Sequence, residues 1–178
     1  YSNNEEENEN NEEEDENNYE EDENNYEEYI EEEEENSEYR LRFISGGLLS
    51  TAELSILQAR KEIVVFAQRC QKMFGIVNEL LNTEKGEDFN KIFTRIEKYE
   101  QITDKMDLEI AKFLKQVSEG RLSNDAKAQI LHMLRTVSEL ESIGDACYNI
   151  GRTLNRKRQY SQEDFTDQQY EHISNMLT

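Results

Sequence analysis

The chain has no proline and no tryptophan, and only two cysteines, two histidines and seven glycines among its 178 residues. With proline absent, glycine and clusters of small polar residues are left to punctuate it. Cys70 and Cys147 both fall on apolar helical stripes described below. That placement reads them as buried small hydrophobes rather than a disulfide or a metal pair, and it fits a reducing compartment. His132 and His172 have no second His or Cys at ligand spacing and read as ordinary helix-surface residues. No apolar run of about 18 residues occurs, so this stretch does not span a membrane. It begins at Tyr1 rather than Met, from which we expect a piece of a longer protein, whose own membrane spans stay open.

Positive charge is missing from one end. Residues 1–38 hold 21 of the 41 acidic residues and none of the 20 basic ones, which leaves residues 39–178 with 20 acids against 20 bases. The body is neutral and the acidity lies in the tail. Within the tail, Asp15-Glu-Asn-Asn-Tyr19-Glu-Glu21 repeats at once as Asp22-Glu-Asn-Asn-Tyr26-Glu-Glu28. The seven-residue repeat has no apolar seam and so makes no coiled coil. Self-repulsion and the lack of anything to bury predict a disordered tail, with an interaction segment as the alternative. Neither part has a basic face able to track a phosphate backbone, which excludes nucleic acid as a partner.

What is abundant is heptad periodicity. Tyr39-Arg-Leu-Arg-Phe-Ile44 alternates briefly, and Ser45-Gly-Gly47 breaks the chain, so residues 39–50 read as an extended connector. Ser50-Thr-Ala-Glu53 has capping-box form and is expected to open a helix running to about Leu81. Its seam is Ile56, Ile63, Cys70 and Val77, interleaved with Ala59, Phe66, Met73 and Leu80. A second helix is predicted over Asp88 to Ser118, with Ile92, Tyr99, Met106 and Phe113 interleaved with Ile96, Thr103, Ile110 and Val117. A third, capped by Ser123 or Asn124, runs to about Arg158 on Ala126, Met133, Leu140, Cys147 and Leu154 with Ile130, Val137, Gly144 and Gly151. A shorter fourth helix is expected from Ser161-Gln-Glu-Asp164 onward. Three helices of about 45 Å joined by short connections imply an all-α, antiparallel up-down-up bundle over residues 51–178.

Two seam glycines inside one helix each cost roughly 1 kcal/mol against Ala, and their use is to admit a neighbouring helix closely. Gly144 lies inside Glu141-Ser-Ile-Gly-Asp145, and the preceding helix carries Glu100-Gln-Ile-Thr-Asp104 at the same spacing. Residues four apart stack on one helix face. All four acids directly follow seam positions, so Glu100, Asp104, Glu141 and Asp145 flank the seam on one relative side. Asp107 and Glu97 extend the first row. Carboxylates held there are protonated, paired or bound to a hard or borderline metal ion; the plainer reading is a solvated acidic face.

Glu139-Leu-Glu-Ser-Ile-Gly-Asp-Ala-Cys-Tyr-Asn-Ile150, with Glu97-Lys-Tyr-Glu-Gln-Ile-Thr-Asp104 one helix earlier, resembles the PhoU three-helix repeat. Tyr39-Arg-Leu-Arg-Phe-Ile-Ser-Gly-Gly-Leu-Leu-Ser-Thr-Ala-Glu53 and the residues to Arg60 are similar to the junction between the membrane domain and the cytoplasmic PhoU-like domain of bacterial sodium/phosphate cotransporters. The resemblance covers about residues 39–178. It implies clusters of iron or other divalent ions on Glu100, Asp104, Glu141 and Asp145, and a regulatory role in phosphate uptake at the cytoplasmic face of the inner membrane. It also implies the parent transporter's membrane domain as partner, with a homodimer through helix faces as a candidate assembly. PhoU proteins usually hold two such repeats, whereas one is complete here, so a cluster could be half-formed, shared across a dimer or absent.

No nucleophile–base arrangement or phosphate-cradling loop is present, and no enzyme is expected. A ferritin-type di-metal oxidase needs Glu-x-x-His on two helices, which this chain lacks. Arg152, Arg156, Lys157 and Arg158 complement the dipole at the end of the third helix; a membrane-surface or partner contact is the alternative. A transporter's regulatory domain and a free-standing phosphate-signalling or metal-binding adaptor remain the two readings.

Overall fold

The computed structural model describes residues 41–44, 51–84, 86–160 and 165–176. The expected tail over 1–38 lies outside the described residues, as do 39–40 and 45–50 of the connector. The described residues contain four helices and no strand: α1 Ala52–Asn82, α2 Glu87–Ser118, α3 Asn124–Tyr160 and α4 Asp167–Met176. The three long helices each pack on the other two. Glu79 of α1 meets Arg95 of α2 at 3.3 Å, and contacts at both ends, Arg60 to Gln129 and Arg158 to the Leu81 carbonyl, align α1 with α3. The course is up, down, up, as the short connections predict.

The predicted seams are the core. Every predicted seam residue of α1 and α2 is buried, and on α3 only Leu140 is half-buried. Phe66, Met73, Leu80, Ile96, Met106 and Ile110 are wholly inaccessible. Full burial of a side chain of this size contributes about 1.5–3 kcal/mol, which is why a neutral body with few aromatics can fold on three long helices.

Helix ends follow local hydrogen-bond demand. Thr51, not Ser50, caps α1, its Oγ1 accepting from the Leu54 amide at 3.3 Å. Ser123 caps α3 by accepting from the Ala126 amide at 3.1 Å. The start of α4 corrects the sequence expectation. Ser161–Asp164 lie outside the described residues, and the helix opens at a reciprocal capping box in which the Thr166 amide donates to Gln169 Oε1 at 3.0 Å and the Gln169 amide to Thr166 Oγ1 at 3.3 Å. No residue of α4 is buried. Phe165, Tyr170 and Ile173 pack against the core at the end where α1 stops and α2 starts. Arg158 ties that corner together: its guanidinium donates to the Tyr170 hydroxyl at 2.6 Å and the Leu81 carbonyl at 3.3 Å, and lies 5.4 Å from the centre of the Phe89 ring. One member of the basic cluster thus has a structural role beyond the helix dipole.

The buried face of α1 is wider than its two seam rows. Ser55, Glu62, Arg69 and Ile76 form a third row, seven residues apart, and all are buried. Leu41 and Ile44, ahead of α1, are buried as well.

Candidate metal centre

The acid rows meet beside a tight contact between α2 and α3. A Cβ built on Gly144 would stand 3.1 Å from Thr103 Oγ1 and 3.6 Å from Thr103 Cβ, so a side chain here would press on Thr103. Thr103 is buried, with its hydroxyl turned back onto its own helix, donating to the carbonyls of Tyr99 at 3.1 Å and Glu100 at 3.0 Å. Thr103 and Gly144 directly precede Asp104 and Asp145. A tight contact between α2 and α3 therefore lies immediately beside both carboxylate rows; a Cβ on Gly151 would make a second, 3.1 Å from Ile96 Cδ1.

Of the four predicted residues, the structure brings three together. One carboxylate oxygen each of Asp104, Glu141 and Asp145 lies within 4.8 Å of the others, with Glu141 half-buried and both aspartates exposed. Glu100 stands outside that group but within its field. Burial, then the charges of Asp104, Asp145 and Glu97, hold its carboxyl above the usual carboxylate range. Burial likewise raises Glu141, with Asp145, Asp107 and Asp104 adding to the effect against an opposing hydrogen bond from Ser142. Asp107 is raised by burial and by Asp104. The sequence placed Asp107 one turn along the row, and its charge adds to the rise of Glu141.

The donor chemistry fits a hard cation. All three convergent groups offer carboxylate oxygen and none offers sulfur or imidazole. Three oxygens mutually at the 4.8 Å limit would surround a point about 2.8 Å from each. Calcium takes its oxygen ligands at about 2.3–2.6 Å and smaller ions at about 2.1 Å, so small side-chain rotations close the gap. The cysteines take no part. Burial pushes Cys70 up to about 12 and Cys147 up to about 11, and the Cys70 thiol donates to the Leu140 carbonyl at 3.4 Å. They are inert core thiols.

The described helices form a three-helix antiparallel bundle with Glu-x-x-x-Asp rows on two adjacent helices. Residues 63–154 match the PhoU domain, a stretch longer than half of the 178-residue chain. The chain belongs to the PhoU family. No curated protein and no solved structure matches it. No described helix is long and apolar enough to cross a membrane.

Proposed function

We propose that this chain is a non-catalytic, metal-binding PhoU-like domain that regulates a sodium-dependent phosphate transporter from the cytoplasmic face of the inner membrane. The observation that carries the metal reading is the convergence of Asp104, Glu141 and Asp145 within 4.8 Å beside the Thr103–Gly144 crossing. These three residues, with Glu100 one turn away, would hold a divalent or iron-type ion. Bound cation would offset the burial and the mutual repulsion that together raise Glu100 and Glu141, and would stabilise the fold by mass action, about 2.7 kcal/mol at a hundredfold excess over Kd.

The transporter assignment rests on the similarity of Tyr39 to Arg60 to the cotransporter junction; the membrane domain is then the partner, and helix faces are available for a homodimer. A free-standing phosphate-signalling adaptor is the second reading, because the PhoU match alone is common to both. The native gene distinguishes them: the transporter reading requires several apolar spans of about 20 residues on the same polypeptide. The metal site is tested by metal analysis and melting of chelator-treated, reloaded protein beside Glu100→Gln/Glu141→Gln and Asp104→Asn/Asp145→Asn. Equal metal content and equal metal-dependent melting in all three proteins would leave the acids as a solvated face.

A further inference from the structure

The short fourth helix covers α3 incompletely. No residue of α4 is buried, and between α4 and α3 lies a groove of about 330 Å3. Leu154, 3% exposed, belongs to the core and lines the groove from the α3 side together with Ile150. Phe165, Ile173 and Met176 complete its apolar lining. Met176 is 71% exposed, so the bundle leaves this apolar surface open to water. The volume falls within the range of pockets that hold small molecules, which begins at about 300 Å3.

Two polar residues, Asn149 and Thr153, also line the groove. The Thr153 hydroxyl donates to the Asn149 carbonyl at 2.8 Å, and Asn149 Oδ1 accepts from the Arg152 guanidinium at 3.2 Å. These groups are engaged within α3, and an occupant would meet mainly hydrocarbon. Charge stands at the rim. Lys157 Nζ lies 5.2 Å from the centre of the Phe165 ring, and Lys157 forms no ion pair among the described residues. The acids of α4, Asp167 and Glu171, do not line the groove. An apolar trough with an ammonium at its edge complements a molecule with a hydrocarbon chain and one negative end. A bilayer is met by a protruding apolar face, whereas this surface is recessed between two helices.

We propose that the α3–α4 groove binds a single-chain anionic amphiphile, a long-chain carboxylate. Its alkyl chain lies along Leu154, Ile173 and Met176, and its carboxylate points toward Lys157. The site uses none of the acid-row residues, so it stands or falls independently of the metal reading. Chain length sets affinity, because each methylene taken out of water contributes about fourfold. The head group adds less, since a partly exposed ion pair is worth at most about fivefold.

Titration of the full chain with octanoate, decanoate and dodecanoate, below micelle-forming concentrations and followed by methyl NMR and calorimetry, tests this. Decanoate should bind saturably, with a Kd on the order of 1 mM or tighter for a ligand of its size. It should shift the methyl signals of Leu154, Ile173 and Met176. Affinity should rise about fifteenfold for each two carbons added until the groove is full. Lys157→Gln should weaken decanoate about two- to fivefold and leave decanol, its neutral counterpart, unchanged. Thr153→Phe, which fills the groove, should weaken both by at least about tenfold and keep the melting temperature within a few degrees. Binding that does not saturate, affinity indifferent to chain length, or shifts confined to other methyls would overturn the proposal. So would a Lys157→Gln that changes neither ligand, or both alike.

Discussion

Gly144→Leu probes the link between packing and the acid rows. A methyl alone at this position would press to 3.1 Å from Thr103 Oγ1. The hydroxyl cannot swing aside freely, because it donates to two carbonyls of its own helix. Against that contact stands a helix-propensity gain of about 1 kcal/mol for replacing an interior glycine. Gly144→Ala should therefore come out near neutral, the two effects offsetting. Gly144→Leu adds three more carbons beside that contact and should cost about 1–3 kcal/mol by overpacking. Urea unfolding, with comparison of midpoints at constant slope, measures it. Thr103→Ala removes the opposing hydroxyl and methyl, so Gly144→Leu should cost at least about 1 kcal/mol less in that background, a coupling read from the double-mutant cycle. A neutral Gly144→Leu, or a cost indifferent to Thr103→Ala, would refute the close crossing and with it the reason for the carboxylates to converge.

Gly75 is the internal control: it is exposed in the middle of α1 with nothing within 4 Å of a built Cβ, so Gly75→Ala should stabilise by about 0.5–1 kcal/mol in the same assay. Glu100, Asp107 and Glu141 have folded-state pKa values raised above their ordinary 4.5, 3.8 and 4.5. Stability from these groups is complete below the unfolded values and is lost as pH rises through the folded ones. Metal-free protein should then melt higher near pH 5 than near pH 7.5, and Glu100→Gln/Glu141→Gln should flatten the difference; an equally steep profile in the variant would place its source elsewhere. Arg158→Met should leave the three long helices cooperative while making α4 a preferred site of proteolysis, because the Tyr170 hydroxyl loses its 2.6 Å donor. Removing residues 1–38 should move the thermal midpoint by no more than about 4 °C, and a larger fall would show that the tail supports the bundle.

The long helices were legible because each repeats apolar residues over four or more heptads, a signal that survives uncertainty at any one position. Helix ends were less so. Ser50 and Thr51 are both good caps, and side-chain geometry alone selects Thr51. For α4, the expected box Ser161-Gln-Glu-Asp164 lies outside the described residues, and Thr166-Asp-Gln-Gln169 forms a box that the sequence reading had passed over. The acid rows were found because they share a spacing and a position beside two seams. The spacing could not tell that Asp104 converges with Glu141 and Asp145 while Glu100 stands off by a turn, since that depends on the stagger between α2 and α3. Glu62 and Arg69 were missed for a simple reason: they are charged, and a charged residue next to a seam reads as surface. The overlooked signal was their register. Ser55, Glu62, Arg69 and Ile76 recur every seven residues and end on an isoleucine, which marks a buried row whose first three members are polar.

Packing and chemistry coincide at one pair of residues. Thr103 and Gly144 are simultaneously one of the tight contacts between α2 and α3 and the immediate neighbours of Asp104 and Asp145. Because side chains at adjacent helix positions diverge by about 100°, burying Thr103 and Gly144 in the seam forces the following aspartates to its flank, where they reach one another without entering the core. A larger residue at position 144 would therefore do two things together: lengthen the distance between the helices and part the carboxylates. The interior glycine makes the helix intrinsically weaker by about 1 kcal/mol, and the aligned acids weaken the bundle further through repulsion. Both costs fall at the same place, and both are explained if that place serves cation binding rather than stability.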